Sequence, residues 1–237
     1  MTSAYPIRPA DEAHRLEALR PYQLITAISD PLLDEVIRLT ASLFSAPIAI
    51  VALVEKTTVQ FRLNVGLPEK TEREPRDESI CSAAILSDKT TVYENLLENP
   101  CELVQPALIE RLNLQFYAGH PLCTPNGQAV GMLCVLDHQP RPFGEEDRLL
   151  LARLANLVMQ MLNLRLEATY NPVFSSSQWG QLYDRIEHSM NRLATLTALA
   201  KWEQNTDTPG AVSYRESTRD EISRVLDALQ AQITTAA

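Results

Sequence analysis

Residues Leu114 to Asp137 form two apolar, strand-like runs joined by a short loop containing Asn126-Gly127. This stretch constrains the fold more than any other. Asn-Gly supplies two positive-φ positions for a tight primed turn, and apolar runs on either side complete the signature of a β-hairpin. Neither run alternates cleanly: between Val130 and Leu136, Met132, Cys134 and Leu136 fall on one side and Leu133 and Val135 on the other. Both sides are apolar and must be covered, which suits central strands.

The remaining sequence sets the outer bounds. A chain of 237 residues, 45% hydrophobic and 22% charged, can build one large domain or a medium domain with an appendage. Its net charge of −9, with no visible Lys/Arg cluster, argues against a nucleic-acid partner, which would need a basic face. Cys81, Cys101, Cys123 and Cys134 occur without a charged-then-apolar leader, so the expectation is a cytoplasmic chain with reduced thiols. The longest apolar run, Ala46–Val54, is far shorter than the roughly 20 residues a spanning helix needs. A soluble protein without a membrane partner is therefore expected.

Taken in order, Asp11 to Ile28 has loose helical spacing that Pro21 interrupts, predicting a kink or two short helices. Asp30-Pro31 places an N-cap and a first-turn proline ahead of a second helix. Ile48–Val54 reads as a buried strand. Val59, Phe61, Leu63 and Val65 then alternate with polar residues as a half-exposed one. Glu69 to Asp77 reads as a solvated charged connection, Ser79 to Leu86 as a short helix capped by Asp77 or Ser79, and Thr90 to Tyr93 as a brief strand. Asn95 to Asn113 is the least regular stretch, split by Pro100 and Pro106.

After the hairpin, the acidic Gly144-Glu-Glu-Asp147 opens a helix whose apolar arc is twice the width one sheet requires. Leu150, Leu154, Leu157, Met161 and Leu164 form one seam, with Leu151, Val158 and Leu162 beside it. One half should cover the sheet and the other should face a helix of this chain or of a partner. Asn171-Pro172 and the serines at 175–177 break this helix before a seam of Trp179, Leu182, Ile186, Met190, Leu193 and Leu196. A last helix carries Ile222, Val225, Leu226, Leu229 and Ile233.

The order aromatic-Tyr-Ala-Gly-x-Pro-Leu-x-Thr-Pro-Asn-Gly-x-x-Val-Gly-x-Leu-Cys-Val-x-Asp resembles the strand pair of bacterial GAF domains. Two further pieces match: Ala46–Val54 with Gln60–Gly66 as the first hairpin, and Arg76-Asp-Glu-Ser-Ile-Cys81 as the entry to the pocket-covering helix. The similarity runs from about Leu32 to about Leu166. It implies an α+β fold: an antiparallel sheet of five or six strands with helices on both faces, here with a helical C-terminal extension. The expected divisions are an N-terminal helical segment (1–29), the sensor domain (30–168) and the extension (169–237). In this family the N-terminal segment packs beside the terminal helix, and the stretch matching Asn95–Asn113 forms a lid.

By that analogy Phe61, Ser79, Cys81, Phe116, Tyr117 and Cys134 are the expected ligand-lining groups. Aromatic and small polar side chains of this kind hold a flat molecule by stacking and a few hydrogen bonds, or equally fill a core. No catalytic residue is assigned. No CxxC, HxxxH or HExxH pair supports a metal site, and no cofactor is identified.

The cysteines read as small buried hydrophobes, although Cys81 at a helix start near Arg76 is a candidate redox thiol. The Ser82-Ala83 that follows Cys81 lacks the histidine of tetrapyrrole-binding relatives. His120 reads as a core or rim histidine, and His188 as a solvated helix residue. The expected function is non-enzymatic: a sensory or regulatory module that binds an unidentified small molecule. It would signal to a separate protein through a homodimer built on helix 144–168, the N-terminal helix and the tail. The alternatives are a ligand-free interaction domain or a cysteine redox switch.

Overall fold

The computed structural model describes residues 8–27, 30–68, 71–103, 111–170, 176–202 and 208–236. Ile28, Pro106, the breaks at 171–175 and 203–207, and the side chains of Trp179 and Leu182 lie outside the described residues.

The first helix, α1 (Glu12–Ile25), is one continuous helix with Pro21 inside it, so of the expected alternatives the two short helices do not form. It is followed by α2 (Pro31–Leu43), where Asp30 Oδ1 accepts hydrogen bonds from the amides of Leu32 and Leu33. This cap satisfies amides that have no partner inside the helix, and Pro31 removes a third. The helix ends in a left-handed turn at Ser45 (φ 47°), with Ser45 N–H donating to Ser42 O and Ala46 N–H to Ala41 O.

Six antiparallel strands follow: β1 (Ile48–Val54), β2 (Thr58–Val65), β3 (Arg73–Pro75), β4 (Thr91–Tyr93), β5 (Phe116–Cys123) and β6 (Ala129–Asp137). Their order across the sheet is β3-β2-β1-β6-β5-β4. Every residue of the central β1 is buried, because both of its faces are covered. The β5–β6 turn differs from the expected primed turn. Gly127 N–H donates to Thr124 O and Thr124 N–H to Gln128 O, while Gly127 (φ 77°) has positive φ and Asn126 does not. Pro125 favours this wider turn, since its ring fixes a negative φ at the second position.

A bulge decides which β2 side chains reach which face. Val51 pairs with Leu63 but Ala52 pairs with Phe61, so Arg62 is the extra residue. Leu63 therefore packs with the helical layer, and Val59 and Phe61 pack on the opposite face. The alternation along β2 was expected to mark one buried face; it feeds two.

One face of the sheet carries α1, α2 and α4 (Glu145–Tyr170), with α5 (Ser176–Trp202) and α6 (Pro209–Ala236) packed behind α2 and α4. Both halves of the wide α4 arc are buried within the chain, including Leu151, Leu154, Leu157, Val158 and Leu162. Within the chain α4 also meets α1, α2 and α6. Among the described helices α4 alone is long and apolar enough to cross a bilayer, but half of its apolar window is buried in this fold.

Polar contacts fix the extension. Arg165 Nη1 donates to Asp30 Oδ2 (2.6 Å), Tyr183 OH donates to Asp30 Oδ1 (3.2 Å), and Arg153 donates to Ser223 and Asp227. The other face of the sheet is roofed by a 3-10 turn (Arg76–Glu78), the short helix α3 (Ile80–Ala84) and residues 111–115.

Candidate functional site

A cavity of about 190 Å³ lies between this second face and its roof. Liquid water takes about 30 Å³ per molecule, so the space matches roughly six waters, or one small organic molecule. Ile48, Ile50, Phe61, Leu136 and Tyr117 rise from the sheet, while Ile80, Cys81, Leu112 and Leu114 close it from the roof. The Arg62 bulge is what brings Phe61 here. Gly119 makes room for the Tyr117 ring, since a Cβ at Gly119 would lie 2.4 Å from the Tyr117 hydroxyl.

The walls are mainly apolar, with a buried carboxyl at Glu74 and the polar Arg111, Asn113 and His138 alongside it. Glu74 stands opposite Val59 in the β2–β3 ladder, so it faces the cavity side, and it is 5% exposed. Its Oε2 makes no hydrogen bond to any described residue and lies 3.8 Å from Arg111 Nη2. Burial pushes the Glu74 carboxyl up to about 7, against the opposing pull of Ser79 and Arg111 and with some help from the Glu78 charge. The Ser79 hydroxyl is buried and forms no hydrogen bond of ordinary geometry with a described residue. Arg111 sits exposed at the mouth and also donates to Glu78 (3.3 Å). His138 shares the lining, its Nδ1 2.8 Å from Asn113 O.

Behind the cavity wall lies a cluster of two thiols and a phenol. Cys81 and Cys134 Sγ are 3.5 Å apart, and the Tyr117 hydroxyl is 3.3 Å from Cys134 Sγ and 3.7 Å from Cys81 Sγ. Burial drives the Cys134 thiol and the Tyr117 phenol well above their ordinary ranges; Cys81 adds to both shifts, while the Tyr117 hydroxyl pulls Cys134 part of the way back. Nucleophilic chemistry needs a thiolate, which this environment disfavours at Cys134. The three groups pack together through weak internal hydrogen bonds.

Of the expected lining groups, Phe61, Cys81 and Tyr117 border the cavity. Cys134 touches Tyr117 and Cys81 just behind it, and Ser79 lies buried at the start of α3. Ser79 occupies the N-cap position of that helix, but its side chain makes no cap bond.

Phe116 is a correction. It faces the helical layer, with its ring 5.6 Å from Phe143 and the Arg141 guanidinium 5.6 Å from its centroid. Adjacent strand residues point to opposite faces, so Phe116 and Tyr117 do not share one site. His120 also lies on the helical side, its Nδ1 2.9 Å from Thr90 Oγ1. The sequence reading missed Glu74, Arg111 and His138. Glu74 was hidden in the charged stretch expected to be solvated; that stretch contains β3, with Glu74 and Arg76 both buried. No local sequence signal singled it out, because it stands between Arg73 and Pro75 in a run of charged residues.

The roof is tied to α1 around the end of the sheet. Arg15 is 1% exposed and forms a two-pronged pair with Glu12 (2.8 and 2.9 Å), while Arg76 donates to Glu12 Oε1 (2.5 Å) and to Glu55 O (3.0 Å). Arg15 also reaches Ala129 O at the start of β6 (3.3 Å).

Three kinds of similarity accompany this geometry. Over 168 residues the chain is 30% identical to a cyclic di-GMP phosphodiesterase of Pseudomonas aeruginosa, a match covering 70% of this chain and 28% of that protein. It therefore spans little more than a quarter of that relative's length. Among solved structures, the GAF domain of an Acinetobacter phosphoenolpyruvate-protein phosphotransferase is similar at 17% identity and a TM-score of 0.48, covering 67% of this chain and 98% of that one. A free methionine-R-sulfoxide reductase from Neisseria meningitidis, solved with its substrate, is similar at 18% identity and a TM-score of 0.46, covering 69% and 96%. The GAF domain family model matches residues 25–163, more than half of the chain. With the six-stranded antiparallel sheet and its flanking helices, this match establishes that the chain belongs to the GAF domain family, a family of sensory and regulatory modules.

Proposed function

We propose that this domain is a regulatory module that holds a small molecule between the sheet and the roof formed by α3 and residues 111–115. The observation carrying this reading is a largely apolar-walled cavity, open at a mouth beside Arg111, with one buried carboxyl whose Oε2 has no hydrogen-bond donor among the described residues. A filled core would leave neither the space nor the unsatisfied oxygen. Occupancy reaches the helical layer along the Arg76–Glu12–Arg15 tie, since a ligand that presses on the roof also moves the residues gripping α1. A ligand shifts that balance only as far as it binds two arrangements unequally.

The output face in this reading is the helical layer, read by a separate signalling protein. The likeness to part of a cyclic di-GMP phosphodiesterase supports control of an enzyme of that kind. A homodimer through α4 and the intrachain seat of α5–α6 exclude each other where they bury the same seam. Sedimentation of the full chain tests the homodimer, which would have to use helical surface that α5 and α6 leave uncovered. A screen of metabolite fractions against the melting temperature of the full chain tests ligand binding. At least one fraction should raise it, and Ile50→Phe, which fills the cavity, should abolish the response. A response unchanged in that variant would move the site elsewhere.

A further inference from the structure

The charges around the cavity narrow the class of molecule it accepts. Glu74 offers an oxygen that no described residue hydrogen-bonds, inside walls built from Phe61, Ile50 and Leu114. The neighbouring cation, Arg111, is 3.8 Å away, half exposed at the mouth, and shared with Glu78. A ligand carboxylate or phosphate would meet Glu78 and, once Glu74 is ionised, a second carboxylate, with a single arginine that both already engage. A neutral molecule would leave the Glu74 oxygen without a charged donor, the costlier state for a buried carboxylate. A protonated amine supplies both the donor and the opposite charge in a water-poor space.

We propose that the cavity binds a small, largely apolar molecule bearing one protonated amine, with the ammonium seated on Glu74 and the apolar body against Phe61, Ile50 and Leu114. This inference rests on the ligand-binding reading above and deepens it.

The groups facing Glu74 are Arg111, Glu78, Ser79 and His138 around the mouth and roof, and Cys134 and Tyr117 below, which keep their protons. Seating an ammonium requires Glu74 to be ionised. Near neutral pH amine binding therefore releases protons, and affinity rises with pH as Glu74 loses its own.

The test titrates the full chain with benzylamine, benzyl alcohol and benzoate at about pH 6 and about pH 8, following heat and proton release in two buffers. Benzylamine should bind about tenfold or more tighter than benzyl alcohol, benzoate weakest, with the amine favoured further at the higher pH. Glu74→Gln, which keeps shape and removes charge, should erase both the preference and the proton release. If the alcohol or benzoate binds as tightly as the amine, or if Glu74→Gln leaves the preference intact, the amine assignment fails while the cavity stands as a ligand site. If none of the three probes binds, the amine assignment fails, and the metabolite screen alone decides the ligand-binding reading.

Discussion

Glu12, in the first turn of α1, and Arg76, at the start of the cavity roof, are joined by a 2.5 Å ion pair across 64 residues of sequence. Burial would raise the Glu12 carboxyl, but hydrogen bonds and charge from Arg15 and Arg76 outweigh it and hold the group down at about 2. A carboxyl depressed from its ordinary 4.5 contributes stability that is fully present above about 4.5 and is lost as pH falls toward 2. Allowing for partial solvent screening, the contribution is about 1–2 kcal/mol. Urea unfolding of wild type, Glu12→Gln, Arg76→Met and the double variant should give a coupling energy of under about half of this at neutral pH, because Arg15 supplies the larger share of the pull on Glu12. The coupling should shrink across that acid window.

Glu74 has the opposite sign. Its carboxyl is raised to about 7 when folded, so folding favours the protonated form. Its stabilising effect is complete below about 4.5 and is lost as pH rises to 7, leaving a buried charge above that. Relative to wild type, Glu74→Gln should gain about 2–3 kcal/mol at alkaline pH and little in acid. Urea midpoints across this range check the crossover. A gain independent of pH would place the ionisation elsewhere.

Asp30 performs two tasks at once. Oδ1 caps α2 and accepts from Tyr183 of α5, and Oδ2 accepts from Arg165 of α4. Asp30→Ala removes all of these contacts and should cost about 2–4 kcal/mol. Asp30→Asn keeps a cap-competent oxygen and should cost about half as much. The extension should loosen in both, read as faster limited proteolysis between α4 and α5 than in wild type.

Helix starts and strand centres were legible in the sequence because their signals are local. Asp30-Pro31 announced α2, and the unbroken apolar run Ile48–Val54 announced a strand covered on both faces. What escaped depends on register. The bulge at Arg62 sends Phe61 and Leu63 to opposite faces although they are two residues apart, and no composition rule marks it. Phe116 and Tyr117 were both read as lining groups, yet strand geometry separates them. Glu74 lay beside the exposed Glu72 and Arg73, and its pairing with Val59 turns it inward. The intrachain docking of α5 and α6 rests on contacts such as Arg153 with Asp227, 74 residues away, which the helical period alone does not specify.

The most direct measurement is native mass spectrometry of the full chain purified under non-denaturing conditions from its own host, beside Ile50→Phe. The account predicts a reproducible small-molecule adduct on wild type that gentle activation removes, and its absence from the variant whose cavity is filled. A bare wild-type mass, or the same adduct on both proteins, would contradict it.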